Sequence, residues 1–225
     1  MNVLLTGATG FLGRRLLNHL AEQHDVVVLA RRKPPSALRD FADWVVMDLA
    51  EPVDPARLPA RVDAVVHLAQ SERFREFPEG ALDVFAINVA GTFGLLEYAR
   101  MARASRFIHA STGGVYRRGP EPLTEEAPLA PESFYGASKA AAERLVEGYG
   151  SLQTIVLRPF FLYGPGQSGM LIANLTERVL AGDVVEVRGK SGIRLSPTYV
   201  DDAASAFAAA LEVDGDQICN VAGSE

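Results

Sequence analysis

Thr6-Gly-Ala-Thr-Gly-Phe-Leu-Gly13 constrains this chain more than any other stretch, because of what flanks it. Asn2-Val-Leu-Leu-Thr6 reads as a short buried parallel strand. Residues 11–23 follow with helical periodicity in Phe11, Leu12, Leu16, Leu17 and Leu20. Strand, glycine turn and helix together form the geometry that holds a dinucleotide. Gly7 permits the tight turn, Gly10 lets the backbone approach a pyrophosphate, and Gly13 lets the helix pack closely on the sheet, with phosphate at the helix N-terminus. The spacing is GxxGxxG rather than the commoner GxGxxG.

Strands and helices alternate along the rest of the chain, which predicts a doubly wound parallel α/β sheet. Strands are expected at 3–6, 26–30, 44–47, 64–67, 106–110, 154–158 and 217–221, and long helices at 83–104 and 134–148. The proline-rich stretch 119–131 is a loop. Beyond Arg158, a turn at 164–169, a helix at 170–181, a strand at 184–187 and a helix at 201–211 suggest a small lobe beside the sheet. Residues 1–160 thus form a dinucleotide-binding domain, and residues 161–225 a lobe with a late strand and helix of the main sheet interleaved.

Tyr135-Gly-Ala-Ser-Lys139 carries proton chemistry. A Tyr and a Lys four apart on a helix share one face, so the ammonium can stabilise the phenolate and make Tyr135 an acid and base near neutral pH. Alongside a dinucleotide site, this pair points to an oxidoreductase.

The chain has 225 residues, 48% of them hydrophobic and 22% charged, enough to bury roughly 70% of its unfolded surface in one domain or a domain plus a small lobe. A net charge of −6 argues against nucleic acid or an anionic membrane as a partner. No apolar run is read as a membrane span, and the start lacks a basic segment before its apolar stretch. Cys219 is the only cysteine, which suits a reducing compartment; the expected location is cytoplasmic. Four scattered histidines offer no metal-ligand spacing. His67 and His109 read as satisfied core histidines, and Asp201 and Asp202 as caps of the last helix.

These stretches resemble the extended short-chain dehydrogenase/reductase superfamily, in its NAD(P)-dependent epimerase/dehydratase branch, with a Rossmann-like fold. The resemblance runs over nearly the whole chain: Asp48-Leu49, His67-Leu-Ala-Gln70, Asn88-Val-Ala-Gly-Thr92, Ser111-Thr-Gly-Gly-Val-Tyr116, Leu157-Arg-Pro-Phe-Phe-Leu-Tyr-Gly-Pro-Gly166 and Tyr199-Val-Asp-Asp202 join the two motifs above. It implies a catalytic group of Thr112, Tyr135 and Lys139. It also implies cofactor contacts from Gly7, Gly10, Phe11, Leu12, Gly13, Arg31, Arg32, Asp48, Leu49, Leu68, Ala69, Gln70, Asn88, Tyr135, Lys139, Pro159 and Phe160. Substrate contacts fall to Thr112, Phe161 and Arg194, and a nucleotide-sugar is the implied partner. Members often pair through helices equivalent to 83–104 and 134–148, so a homodimer is implied. The chain is short for the family, which leaves either a minimal or a cropped substrate lobe.

Departures from the family pattern narrow the chemistry. The second strand ends in Leu29-Ala-Arg31-Arg32-Lys33 with no carboxylate, which favours NADP over NAD because a guanidinium binds a 2′-phosphate and a carboxylate repels it. If the run is only a solvated charged face, either cofactor binds. Gly113-Gly114 stands where sugar 4,6-dehydratases carry an acid and a base, so ketone reduction or epimerisation is expected instead. Phe161 stands where nucleotide-sugar enzymes often carry Asn, and a non-catalytic NADP-binding scaffold is the alternative of a different class.

Overall fold

The computed structural model describes residues 1–117, 119, 121–186 and 194–223. Seven parallel strands form one sheet: β1 (Asn2–Thr6), β2 (Asp25–Ala30), β3 (Asp43–Val46), β4 (Ala64–His67), β5 (Arg106–Ala110), β6 (Gln153–Pro159) and, last in the sheet, Gln217–Val221, designated β9. Two short strands between them in sequence, β7 (Leu162–Tyr163) and β8 (Thr198–Tyr199), pair separately. The order in the sheet is β3-β2-β1-β4-β5-β6-β9. The winding direction reverses between β1 and β4, and such switch points open a crevice at the carboxyl ends of the strands.

The alternation of side chains along each strand divides the core in two. Val3 and Leu5 of β1 pack with Leu16, Leu17 and Leu20 of helix α1 (Phe11–Ala21) and with Phe207 of a late helix, Val200–Ala209. Leu4 faces the opposite way and packs with Leu95, Leu96, Ala99 and Val146 from the other helical layer. In chain order the helices after α1 are α2 (Ala81–Phe85), α3 (Thr92–Met101), α4 (Phe134–Glu147), α5 (Leu171–Leu180) and α6 (Val200–Ala209).

The expected helix at 83–104 starts and ends earlier, and a π-helical segment, Ala86–Gly91, joins α2 to α3. The run Ala81–Met101 reaches the length of a membrane span and holds an 18-residue window with a mean hydropathy of 1.2, which corrects the expectation that no run does so. The physical reason is its buried stripe: Val84, Ile87, Leu95 and Leu96 face the protein core.

Three other local expectations change. Val184–Glu186 adopt no strand, and residue 187 of the expected 184–187 strand lies outside the described residues. Strands β7 and β8 are too short to give a periodic signal. Asp201 and Asp202 lie in the first turn of α6 rather than at its cap, which is Tyr199, so they favour the helix through its dipole. Asp201 also meets Arg15 of α1 at 3.4 Å.

Candidate active site

The glycine turn lines the crevice between β1 and β4. Gly7 adopts φ +75°, and a Cβ there would stand 2.7 Å from the Ala69 nitrogen. A Cβ on Gly13 would come 2.0 Å from the Gly7 oxygen, so α1 sits directly on the turn only because both residues are glycine. Gly10 caps α1 with no side chain of its own, and Phe11 and Leu12 begin the helix, leaving its first amides for an anion. This cradle fits a dinucleotide pyrophosphate.

A directed chain of hydrogen bonds fixes the walls. The Ala69 N–H donates to Thr6 Oγ1 (3.1 Å), Thr6 donates to His67 Nδ1 (2.8 Å), His67 Nε2 donates to Thr92 Oγ1 (3.0 Å), and Thr92 donates to the Asn88 carbonyl (2.7 Å). The partners assign the tautomer. Burial, with the Lys139 charge, pushes His67 down to about 3, so the ring stays neutral. Asn88, in the π segment, accepts from the Ser71 N–H (2.9 Å) and donates to Ser138 Oγ (3.0 Å), binding the loop after β4 to α4. His109 is also buried, but neither ring nitrogen finds a partner among the described residues, so it is a core histidine left unsatisfied.

Ser133 caps α4 by accepting from the Gly136 N–H at 3.0 Å. A Cβ on Gly136 would lie 2.4 Å from the Gly114 oxygen, so glycine after Tyr135 lets the helix sit on the turn that follows Thr112. Thr112 accepts from the Gly114 N–H at 3.1 Å and caps that turn, Gly113–Val115. The Tyr135 phenol donates to Gln70 Oε1 at 2.7 Å, and the Phe74 ring packs 5.1 Å from the phenol ring.

The titration of this pair differs from the expectation. Burial pushes Tyr135 up to about 12, opposed by the Thr112 hydroxyl. Burial also pushes Lys139 down to about 7, opposed by the negative charge of Glu143. Lys139 is 1% exposed, so burial disfavours its charged form.

The remaining expected residues divide into four groups. Leu68, Ala69, Pro159 and Phe160 line the ends of β4 and β6, where a nicotinamide dinucleotide could lie across the crevice. Asp48 accepts from the Ala50 N–H at 3.0 Å, a turn contact, and Leu49 is buried in the core. Arg32, Phe161 and Arg194 are exposed, and Phe161 holds φ +36°. Arg31, in a run with no carboxylate of its own, is bound by Glu72 at 2.7 Å from the loop after β4. Glu72, Phe74 and Glu143 lie outside the motifs, and Arg158 lies within the 157–166 stretch with no role expected of it there, although Glu143 follows Lys139 at the same interval that separates Lys139 from Tyr135.

The NAD dependent epimerase/dehydratase family model matches residues 3–222. The chain belongs to that family. Among epimerase/dehydratase-like relatives, the 2-alkyl-3-oxoalkanoate reductase of Stenotrophomonas maltophilia is 33% identical over 94% of this chain and 66% of its own length. The dTDP-glucose 4,6-dehydratase of Neisseria gonorrhoeae is 34% identical over 92% of this chain and 68% of its own. The chain thus spans about two thirds of the length of these relatives. Among solved structures, the UDP-glucuronic acid 4-epimerase of Bacillus cereus in complex with UDP-glucuronic acid and NAD superposes with a TM-score of 0.86 at 26% identity, covering 100% of this chain and 78% of that one. The names of these similar proteins span reduction, dehydration and epimerisation.

Proposed function

We propose that this chain is an NAD(P)-dependent oxidoreductase interconverting a hydroxyl and a carbonyl on a nucleotide-sugar-like substrate, and that it works as an NADPH-dependent ketoreductase. One observation carries the reading: Gly136, the residue after Tyr135, seats α4 against the turn that follows Thr112 at the carboxyl end of the sheet, and the Tyr135 phenol donates to Gln70 Oε1 at 2.7 Å beside the glycine cradle. In this reading Thr112 holds the substrate oxygen and Tyr135 exchanges a proton with it. Lys139 in its protonated form, one turn further along α4, favours the phenolate. A bound nicotinamide supplies or accepts a hydride. The presence of all three side chains favours an enzyme over a non-catalytic NADP-binding scaffold.

NADP rather than NAD is supported by Arg31 and Arg32 at the end of β2. A second reading, an NAD-dependent nucleotide-sugar epimerase, is favoured by the likeness to the NAD-bound Bacillus cereus epimerase. The nucleotide-sugar substrate rests on that same likeness and on exposed Arg194, which would meet the diphosphate. Phe161, in place of an amide, would present an apolar face to the sugar. A homodimer and a cytoplasmic location belong to the same proposal.

Tyr135→Phe tests it. Turnover on ketosugars falls by about 10² to 10⁴ while the NADPH dissociation constant stays put. Wild-type turnover in this variant would overturn the assignment.

A further inference from the structure

Strands β2 and β4 flank β1 in the sheet, so anything joining their ends crosses the end of β1, where the chain enters the glycine turn. Arg31 immediately follows β2, and Glu72 lies in the loop after β4. Their side chains meet, Arg31 Nη2 to Glu72 Oε2, at 2.7 Å. An ion pair therefore lies beside the end of β1, on the side where a dinucleotide carries its adenosine ribose. The sequence supplies no carboxylate at the end of β2, and the fold supplies one from across the crevice.

We propose that Glu72 sets the choice between the two nicotinamide dinucleotides by competing with a 2′-phosphate for Arg31. This rests on the reading of Arg31 as the 2′-phosphate site. A phosphate reaching the guanidinium must displace the Glu72 carboxylate and then tolerate it as a neighbour of like charge. A ribose carrying only a 2′-hydroxyl imposes neither demand, since a hydroxyl can donate to a carboxylate that stays paired. The residue type at the end of β2 then overstates the preference for NADP, and Glu72 brings the two affinities closer together.

Arg31 and Glu72 are 34% and 75% exposed, so the pair itself is worth a factor of about two to five. Repulsion between carboxylate and phosphate adds to it. Removing Glu72 should then tighten NADPH by about fivefold to tenfold and change NADH by less than about twofold. High exposure of Glu72 keeps the substitution from threatening the fold.

Titration calorimetry with NADPH and with NADH, on the wild-type chain and on E72A, E72Q, R31A and E76A, separates the possibilities. Glu76 is a control, since it lies in the same loop and pairs with Arg73 at 2.7 Å instead. The expected result is tighter NADPH in E72A and E72Q, weaker NADPH in R31A, and both cofactors unchanged in E76A. If R31A weakens NADPH while E72A leaves it unchanged, the competition does not exist and the inference fails alone. If R31A leaves NADPH unchanged, the reading of Arg31 fails and the inference with it. An E76A effect matching that of E72A would reduce the result to general loss of negative charge and also overturn the inference.

Discussion

Glu143 lies one helical turn beyond Lys139 and closes a 2.7 Å ion pair with Arg158 of β6, both side chains at most 2% exposed. The same carboxylate accepts from Ser111 Oγ, the residue before Thr112, and from Arg158 Nε at 3.0 Å. Arg158 also donates to the Tyr116 hydroxyl and lies over that ring, 4.9 Å from guanidinium carbon to centroid. One carboxylate thus joins α4, the end of β5 and β6 directly behind the proposed catalytic group.

Glu143→Gln should therefore destabilise the protein by about 3–5 kcal/mol, because it leaves the Arg158 charge buried without a counter-charge. Urea unfolding measures this. Glu143→Leu combined with Arg158→Met should recover most of the loss, since an apolar pair carries no desolvation cost. A Glu143→Gln variant within about 0.5 kcal/mol of wild type would remove the pair from the account of stability.

Lys139 should cost the fold stability that activity requires. Its folded pKa, about 7, lies below the ordinary 10.5, so between those values the unfolded chain binds more protons than the folded one. The Lys139 contribution to stability therefore rises with pH across that window, and below it the burial cost is felt in full. At neutral pH, Lys139→Met should raise stability by about 1–2 kcal/mol while abolishing turnover. The wild-type-minus-variant difference, measured by denaturant unfolding at several pH values, should grow more favourable to wild type from about pH 7 to pH 10.5. A difference flat with pH would show that the ammonium is not desolvated.

Much of this fold was legible because its signals are local. Leu4 and its neighbours alternate between two cores, and the glycine spacing marks the turn. Tyr135 and Lys139 were legible because an interval of four on a helix is a geometric statement in itself. Glu72, Phe74 and Arg158 were not, since their roles come from elements far apart in sequence meeting at the sheet end. The reversal in the Tyr135 and Lys139 titration was hidden for a related reason: spacing gives proximity, and burial, which decides the sign, is tertiary. The π segment around Asn88 likewise has no sequence period of its own.

An apolar stripe on the outer helical layer predicts self-association. Leu82 and Phe85 of α2 and Phe93 of α3 are 87%, 55% and 50% exposed, and Phe77 stacks on Phe134 of α4 at 5.1 Å beside them. Sedimentation velocity should find a dimer, and Phe85→Glu with Phe93→Glu should give a folded monomer, because buried unpaired charge at an interface centre is costly. A wild-type monomer at tens of micromolar would reject this use of the stripe.

The chain should not carry out 4,6-dehydration of a nucleotide sugar, although a dehydratase is among its relatives. That reaction takes a proton from C5 and expels a hydroxyl from C6, which requires an acid and a base close to Thr112. Gly113 and Gly114 offer neither, and the geometry explains why Gly113 cannot simply be exchanged. A Cβ on Gly113 would stand 2.5 Å from the Phe160 ring, which occupies the space a carboxylate side chain would need. Phe160 in turn stacks on Tyr116 at 6.2 Å, so the ring is held in place from behind. Glu125 is committed elsewhere, accepting from the Asn220 N–H at 2.7 Å. Incubation with nucleoside-diphosphate hexoses and NAD or NADP should yield no 4-keto-6-deoxy product by mass. Gly113→Asp should destabilise the protein by about 1–3 kcal/mol through overpacking and still form no such product, whereas Gly113→Asp with Phe160→Ala should regain stability. Formation of the 4-keto-6-deoxy sugar by the wild-type chain would place an acid and base near Thr112 from another part of the molecule.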